Sequence, residues 1–305
     1  MQFTQPGVLA PLPVVGRYVF FSLQGDAPTL RTALAQLRSH ADGARTVVAI
    51  GTRLAQALDA DIPGLRDFPV LQGVAPAQSV STASALCLWL RGEERGELLL
   101  RTRRLAQLLA PALAVEHIVD AFRHGHGPNG YGRDLTGYED GTENPVDAEA
   151  EAAGCLRCAT MGLHGSSFLA LQQWEHNMPA FHALAPDARD NAMGRRLSDN
   201  EELDDAPASA HTKRTAQESF TPEAFVVRRS MPWWSTSAQG QDRMGLMFAA
   251  FGHSLDAFEA QWRRMLGLED GVSDALFCFS QPLSGSYYWC PPVHQGQIDL
   301  RLLGA

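Results

Sequence analysis

Hydrophobic positions between residues 18 and 122 fall into two kinds of run. Short, dense runs rich in β-branched and aromatic residues predict strands at Tyr18–Leu23, Thr46–Ile50, Ala85–Leu90 and Ala114–Phe122. Between them, Ala27–Ser39 sets Leu30, Ala33, Leu34 and Leu37 on one face, the spacing of an amphipathic helix. A second helix is predicted over Glu97–Leu109. Ahead of the first strand, residues 1–15 are rich in Pro and Gly and read as an extended lead-in.

The order β-α-β-β-α-β is that of a ferredoxin-like unit, an antiparallel sheet with helices packed on one face. The second half repeats the scheme more loosely. Strands are predicted at Ser167–Gln173, Phe225–Arg228, Gly245–Gly252, Ala275–Ser280 and Tyr287–Cys290. Helices are predicted at Met178–Leu184 and Leu255–Leu266, with a polar segment over Asp187–Ala210. The expectation is an α+β chain of two tandem ferredoxin-like domains. The acidic, Ala-rich stretch from Pro145 to Gly154 is the natural boundary, giving domains 1–148 and 149–305.

Composition narrows the function classes. At 305 residues, 45% apolar and 19% charged, the chain has the make-up of a globular protein. A net charge of −9 disfavours nucleic acid or an anionic membrane as the main partner. No basic segment followed by an apolar run suggests a secretory signal, and no stretch is apolar enough to suggest a membrane span. Five scattered cysteines suit reduced thiols in a cytoplasm better than a disulfide framework. Cys155 and Cys158 have C-x-x-C spacing, but without a second pair they read as two incidental thiols.

Candidate chemistry centres on Gly137-Tyr138-Glu139-Asp140-Gly141-Thr142-Glu143-Asn144-Pro145. Two glycines bracket one acid; the stretch is either a polar surface turn or a poised carboxylate beside a bulky ligand. His211 follows an acidic run and has no ligand partner at i+3 or i+4, so it makes a poor zinc site. A haem needs only one imidazole from the protein, so His211 is either that ligand or a loop histidine. Arg228 and Arg229 end an apolar run ahead of Ser230-Met231-Pro232. Either arginine facing Asp140 would supply the carboxylate and cation that move a proton between peroxide oxygens.

Taken together, the Gly137–Pro145 stretch, His211 after Glu202-Leu-Asp-Asp205, and Arg228 before Met231-Pro232 resemble the dye-decolourising peroxidase family. The closest likeness is to its short bacterial branch without a signal peptide, class B. Gln5 to Phe21, Gly165 to Trp174, Asp270 to Asp274 and Phe279 to Gly285 extend the resemblance along nearly the whole chain. The resemblance implies tandem ferredoxin-like domains of the dimeric α/β-barrel-like superfamily, with one haem b per chain held mainly by the second. It makes His211 the proximal ligand of the haem iron, and Asp140 and Arg228 the distal catalytic pair. Arg214 would pair with a haem propionate, and Asp274 would accept the proximal imidazole N–H. Ser230 stands where relatives often carry Asn, and Ala210 where they often carry Ser; both read as tuning changes.

The implied activity is reduction of hydrogen peroxide through a ferryl porphyrin radical, with oxidation of dyes, phenolics or other small aromatic one-electron donors. The alternative is a haem-handling protein with incidental peroxidase activity, for which the Asp–Arg pair would be unnecessary. Trp174, Trp233, Trp234, Tyr287, Tyr288 and Trp289 are either electron-relay residues or packing. Relatives form homo-oligomers from dimers to hexamers, and some travel in encapsulin shells by a C-terminal tag. The tail His294–Ala305 carries no clear tag of that kind.

Overall fold

The computed structural model describes residues 3–305. Residues 1 and 2 of the expected lead-in lie outside the described residues; in the remainder, Pro6–Leu9 forms a short helix, α1. The buried Gln5 amide pins this segment, donating to the Val48 and Pro291 carbonyls while its oxygen accepts from Val48 N–H. The first half then runs β1 (Val15–Leu23), α2 (Ala27–His40), β2 (Thr46–Ile50), α3 (Thr52–Ala57), β3 (Leu86–Gly92), α4 (Arg95–Leu109) and β4 (Leu113–Phe122). Helix α2 starts where the Asp26 carboxylate accepts from Thr29 N–H and satisfies an orphan donor of the first turn.

The second half opens with α5 (Asp147–Gly154), β5 (Ser167–His176), α6 (Met178–Ala183), α7 (Pro186–Met193) and α8 (His211–Arg214). It closes with β6 (Val227–Arg228), β7 (Met231–Thr236), β8 (Asp242–Gly252), α9 (Asp256–Met265), β9 (Ser280–Pro282) and β10 (Ser286–Cys290).

Strand order runs β8-β7-β4-β1-β3-β2-β10-β5, and β5 pairs back onto β8, so eight antiparallel strands close a barrel. The short β6 and β9 attach beside β8 and β5. The α+β class expected from the sequence holds, but the halves do not carry separate sheets. Each half would leave two edges with unpaired backbone groups, and the other half covers them. The seams are β4 on β7, through Ala121 opposite Trp233, and β2 on β10, through Ile50 opposite Trp289.

Closure buries both faces of most strands, which is why they read as unbroken apolar runs. In β3, Leu86, Leu88 and Leu90 face the helices, joining Leu34 and Leu37 of α2 and Leu105 of α4. Cys87 and Trp89 point the other way, into the barrel interior with Tyr18 and Tyr288.

Two predicted strands are corrected. Ala275–Cys278 is a 3-10 turn, because the buried Asp274 side chain caps it by accepting from Leu276 N–H; the strand is only Ser280–Pro282. Of Phe225–Arg228, only Val227–Arg228 pairs in the sheet. Strand β7 was not expected, since Pro232 lies within it. Pro232 has Leu246 of β8 as its register partner but none in β4, which β7 meets only at the Trp233 seam.

Candidate active site

The loop 131–145 folds on itself. Asp134 N–H donates to the Tyr138 carbonyl, Gly137 N–H donates to the Asp134 carbonyl, and Arg133 bridges Glu139. Gly137 (φ 95°) and Gly141 (φ 87°) adopt left-handed backbone that a side chain would strain, and Asp140 sits at the end of this turn. Asn144 then spans to β6: its Oδ1 accepts from Arg228 N–H at 2.7 Å and its Nδ2 donates to the Arg228 carbonyl at 3.1 Å. Asn144, near the end of the glycine-bracketed motif, thus fixes the backbone of Arg228, whose side chain lines the same cavity as Asp140.

His211 opens α8, a single turn too short to be stable alone. Its Nδ1 lies 2.8 Å from Oδ2 of Asp274, whose side chain is fully buried. A carboxylate oxygen is an acceptor, so the ring proton sits on Nδ1 and Nε2 keeps its lone pair. The other Asp274 oxygen accepts from Leu276 N–H, so the carboxylate is itself held. Gly194, at φ 85°, ends α7 against α8; a Cβ there would lie 2.0 Å from Thr212 Oγ1.

Asp140, His211 and Arg228 line one cavity with two lobes, open to water centres over about 170 Å³ and 90 Å³. Trp174, Phe248, Phe258 and Trp262 form an apolar wall of the smaller lobe. Burial pushes the Asp140 carboxyl above the usual range, and the nearby Asp134 adds to the rise. Arg228, His211 and the Gly141 N–H pull it down without offsetting the burial. Arg228 Nε is buried without a partner. A guanidinium whose Nε has no partner among the described residues and a carboxyl that resists ionising, in one cavity, form a charge arrangement suited to a ligand.

The family model described as Dyp-type peroxidase, C-terminal, matches residues 131–295, more than half of the chain. The chain belongs to the Dyp-type peroxidase family. The dye-decolorizing peroxidase of Mycolicibacterium paratuberculosis is 30% identical over 194 residues, 62% of this chain and 52% of that protein. The chain thus aligns with about half the length of that relative. The structure of a dye-decolorizing protein from Vibrio cholerae shares the fold with a TM-score of 0.82, 25% identity and 98% coverage of both chains. A DypB variant of Rhodococcus jostii, solved in complex with heme, has a TM-score of 0.79 at 22% identity, over 94% of this chain and 96% of that one.

In this Dyp-type peroxidase chain the structure brings together five of the six residues singled out from sequence, all but Arg214. Asp140, Arg228 and His211 share the cavity, and Asp274 backs His211. Arg229 turns away: it donates to the Leu9 and Arg228 carbonyls, and burial, with Arg91 nearby, lowers its pKa to about 10. Ser230 is buried with an unpartnered hydroxyl, beside Asp140 at a void of about 20 Å³, enough for one water.

Arg214 is the correction. It is buried and does not line the cavity; its guanidinium grips Asp270 through two bonds of 2.7 and 2.8 Å and donates to the Arg264 carbonyl. With four of its five N–H donors so engaged it ties α8 to the end of α9, away from the cavity lining.

Sequence reading missed Asn144 as the clamp on Arg228. It also missed Asp134 and His176, a second carboxylate–imidazole pair in the cavity wall, 3.2 Å apart. Burial alone would raise the Asp134 carboxyl, but His176, the Thr136 hydroxyl and the Leu135 N–H outweigh it and bring it down to about 2. Only the Asp-x-Thr spacing of Asp134 and Thr136, an Asx-type turn, hinted at a held carboxylate.

Proposed function

We propose that this chain is a haem peroxidase that reduces hydrogen peroxide and oxidises small aromatic one-electron donors. One observation carries the reading: a single cavity presents an Arg228 whose Nε has no partner among the described residues, a carboxyl at Asp140 that resists ionising, and a histidine whose only free nitrogen is Nε2. The residues present fit haem b. His211 offers one imidazole, oriented through Nδ1 by Asp274, and the Trp174–Phe258–Trp262 wall offers apolar surface for a flat macrocycle. When bound, haem b supplies an iron centre that takes up the oxidising equivalents of peroxide.

The chain's own residues divide the remaining work. Asp140 takes a proton from one peroxide oxygen and returns it to the other, a task suited to a carboxyl whose proton affinity is raised. Arg228 stabilises the negative charge that develops on the departing oxygen. Asn144 and Asp274 hold the two sides of the cavity in register. Simple carriage of haem would need neither Asp140 nor Arg228 in this state.

The finer reading of the fold belongs to the same proposal. The orders β4-β1-β3-β2 and β10-β5-β8-β7 support two ferredoxin-like units, 1–148 and 149–305, fused into one barrel. Five free thiols fit a cytoplasmic protein, and a homo-oligomer is expected. The test is steady-state kinetics of the haem-loaded chain with an aromatic donor. Asp140→Ala is expected to lower kcat/KM for peroxide by about 10²–10⁴-fold. Equal turnover in wild type and variant would contradict the role assigned to Asp140.

A further inference from the structure

His176 borders three separate spaces. It lines both lobes of the inner cavity, and on its other side it lines a surface groove of about 380 Å³ that includes Glu175, Asp242 and Ser280. Its side chain is only 7% exposed, so it stands in the wall between cavity and groove. Both ring nitrogens are engaged in opposite directions. Nε2 faces Asp134 Oδ1 at 3.2 Å, and Nδ1 faces Ser280 Oγ at 2.8 Å. Strand pairing fixes the second contact, because His176 and Ser280 are register partners of β5 and β9.

We propose that His176 is a proton-relay residue, held between Asp134 and Ser280, that carries protons from the surface groove into the cavity containing Asp140. The inference rests on the peroxidase reading, which creates the need for it. Peroxide reduction is H2O2 + 2 e− + 2 H+ → 2 H2O; the donor supplies the electrons, and the two protons, released by the donor or taken from solvent, must reach the cavity. Asp140 moves one peroxide proton from oxygen to oxygen but imports none. A proton accepted at Nδ1 from the Ser280 side is matched by one released from Nε2 to water on the cavity side. Only N–H and O–H bonds change; the ring returns to its starting charge in the other tautomer, and exchange of its ring proton with water resets it before the second proton passes.

Asp134 is not the acceptor. It is held ionised, so it orients Nε2–H and stabilises the imidazolium formed in passing. The charged groups lining these spaces with His176 are Asp134, Glu139, Asp140 and Glu143 from the loop, Arg195, Glu202, His211, Glu218 and Arg228 around the cavity, and in the groove Asp242 and Glu175, the latter paired with Arg243.

The experiment compares the haem-loaded wild type with His176→Gln and His176→Gly. Glutamine can keep hydrogen bonds to Asp134 and Ser280 yet cannot relay a proton, so it separates relay from scaffold. In His176→Gln the change of the haem spectrum on adding peroxide should keep its wild-type rate within about twofold. Donor-driven return to the starting spectrum should slow by about 10²-fold, the low end for a positioned acid–base group. Free imidazole should restore that return in His176→Gly. Wild-type return rates in His176→Gln would overturn the relay, as would the absence of rescue by imidazole.

A second readout needs neither haem nor turnover. In the haem-free chain, nitrogen-15 NMR of the His176 ring should show its protons exchanging with water within seconds; protection for hours would overturn the relay. A wild type that ignores peroxide while His176 exchanges freely would instead locate the failure in the peroxidase reading.

Discussion

Two carboxyls in one cavity wall are driven in opposite directions, and their signs make a test at the scale of single residues. Asp134 is pulled down to about 2, so the folded state binds its proton more weakly than the unfolded chain. Its stabilisation is present above the ordinary carboxylate range and is lost as pH falls toward 2. Asp134→Asn is therefore expected to cost about 2 kcal/mol at pH 7. Asp140 is raised, so the folded state binds its proton more tightly, and that stabilisation is lost as pH rises through the raised value. Asp140→Asn should make the haem-free chain more stable than wild type at pH 7, with the gain vanishing in acid. Urea denaturation from pH 2 to 7 checks both; matching pH profiles for the two variants would refute the assignment. At this scale the sequence was most legible where chemistry is local. The glycine bracket around Asp140 could be read directly, because positive φ leaves a mark in residue type. The Asp134–His176 contact could not, since its partners lie on a loop and a strand with nothing in their spacing to link them.

At the scale of elements, the four-residue α8 depends on its anchors. Arg214 joins it to Asp270 and to the Arg264 carbonyl, while Asp274 grips His211 from the turn after α9. Arg214 is buried but Asp270 is half exposed, so the pair falls between the exposed and buried cases. Arg214→Ala should cost roughly 2 kcal/mol of stability and weaken haem binding, although Arg214 does not touch the cavity. Haem titration and thermal melts of the variant check this; unchanged haem affinity with lowered stability would separate α8 from the site. An arginine three residues from a ligand histidine looks like a cofactor contact in sequence. Its real partner, Asp270, is far along the chain, and nothing in residue type announces the pairing. Strand β7 was hidden for a different reason: Pro232 argues against a strand, and its lack of a partner in β4 shows only in the fold.

At the scale of the whole molecule, the two seams make the halves one body. Each joins the halves through a single register pair, Ala121 with Trp233 and Ile50 with Trp289, yet the barrel interior they enclose holds Trp89, Tyr288 and Met247 from both halves. Neither half can bury that interior alone. Calorimetry of the haem-free chain should show one transition with equal calorimetric and van't Hoff enthalpies; two resolved transitions would contradict a shared core. The strand order of the first half was readable from hydrophobic runs, but closure was not, because it depends on pairings between distant segments that leave no local periodicity. The loop and α8 that face each other over the cavity are brought together by that same closed barrel. The most direct measurement of what they do there is the Soret band of the haem-loaded chain before and after one equivalent of peroxide, in wild type, His211→Ala and Asp140→Ala. The account predicts a rapid shift in wild type, a lost or displaced starting band in His211→Ala, and an intact starting band with a shift slowed at least about 10²-fold in Asp140→Ala. A wild type that binds haem and shows no change with peroxide would contradict it.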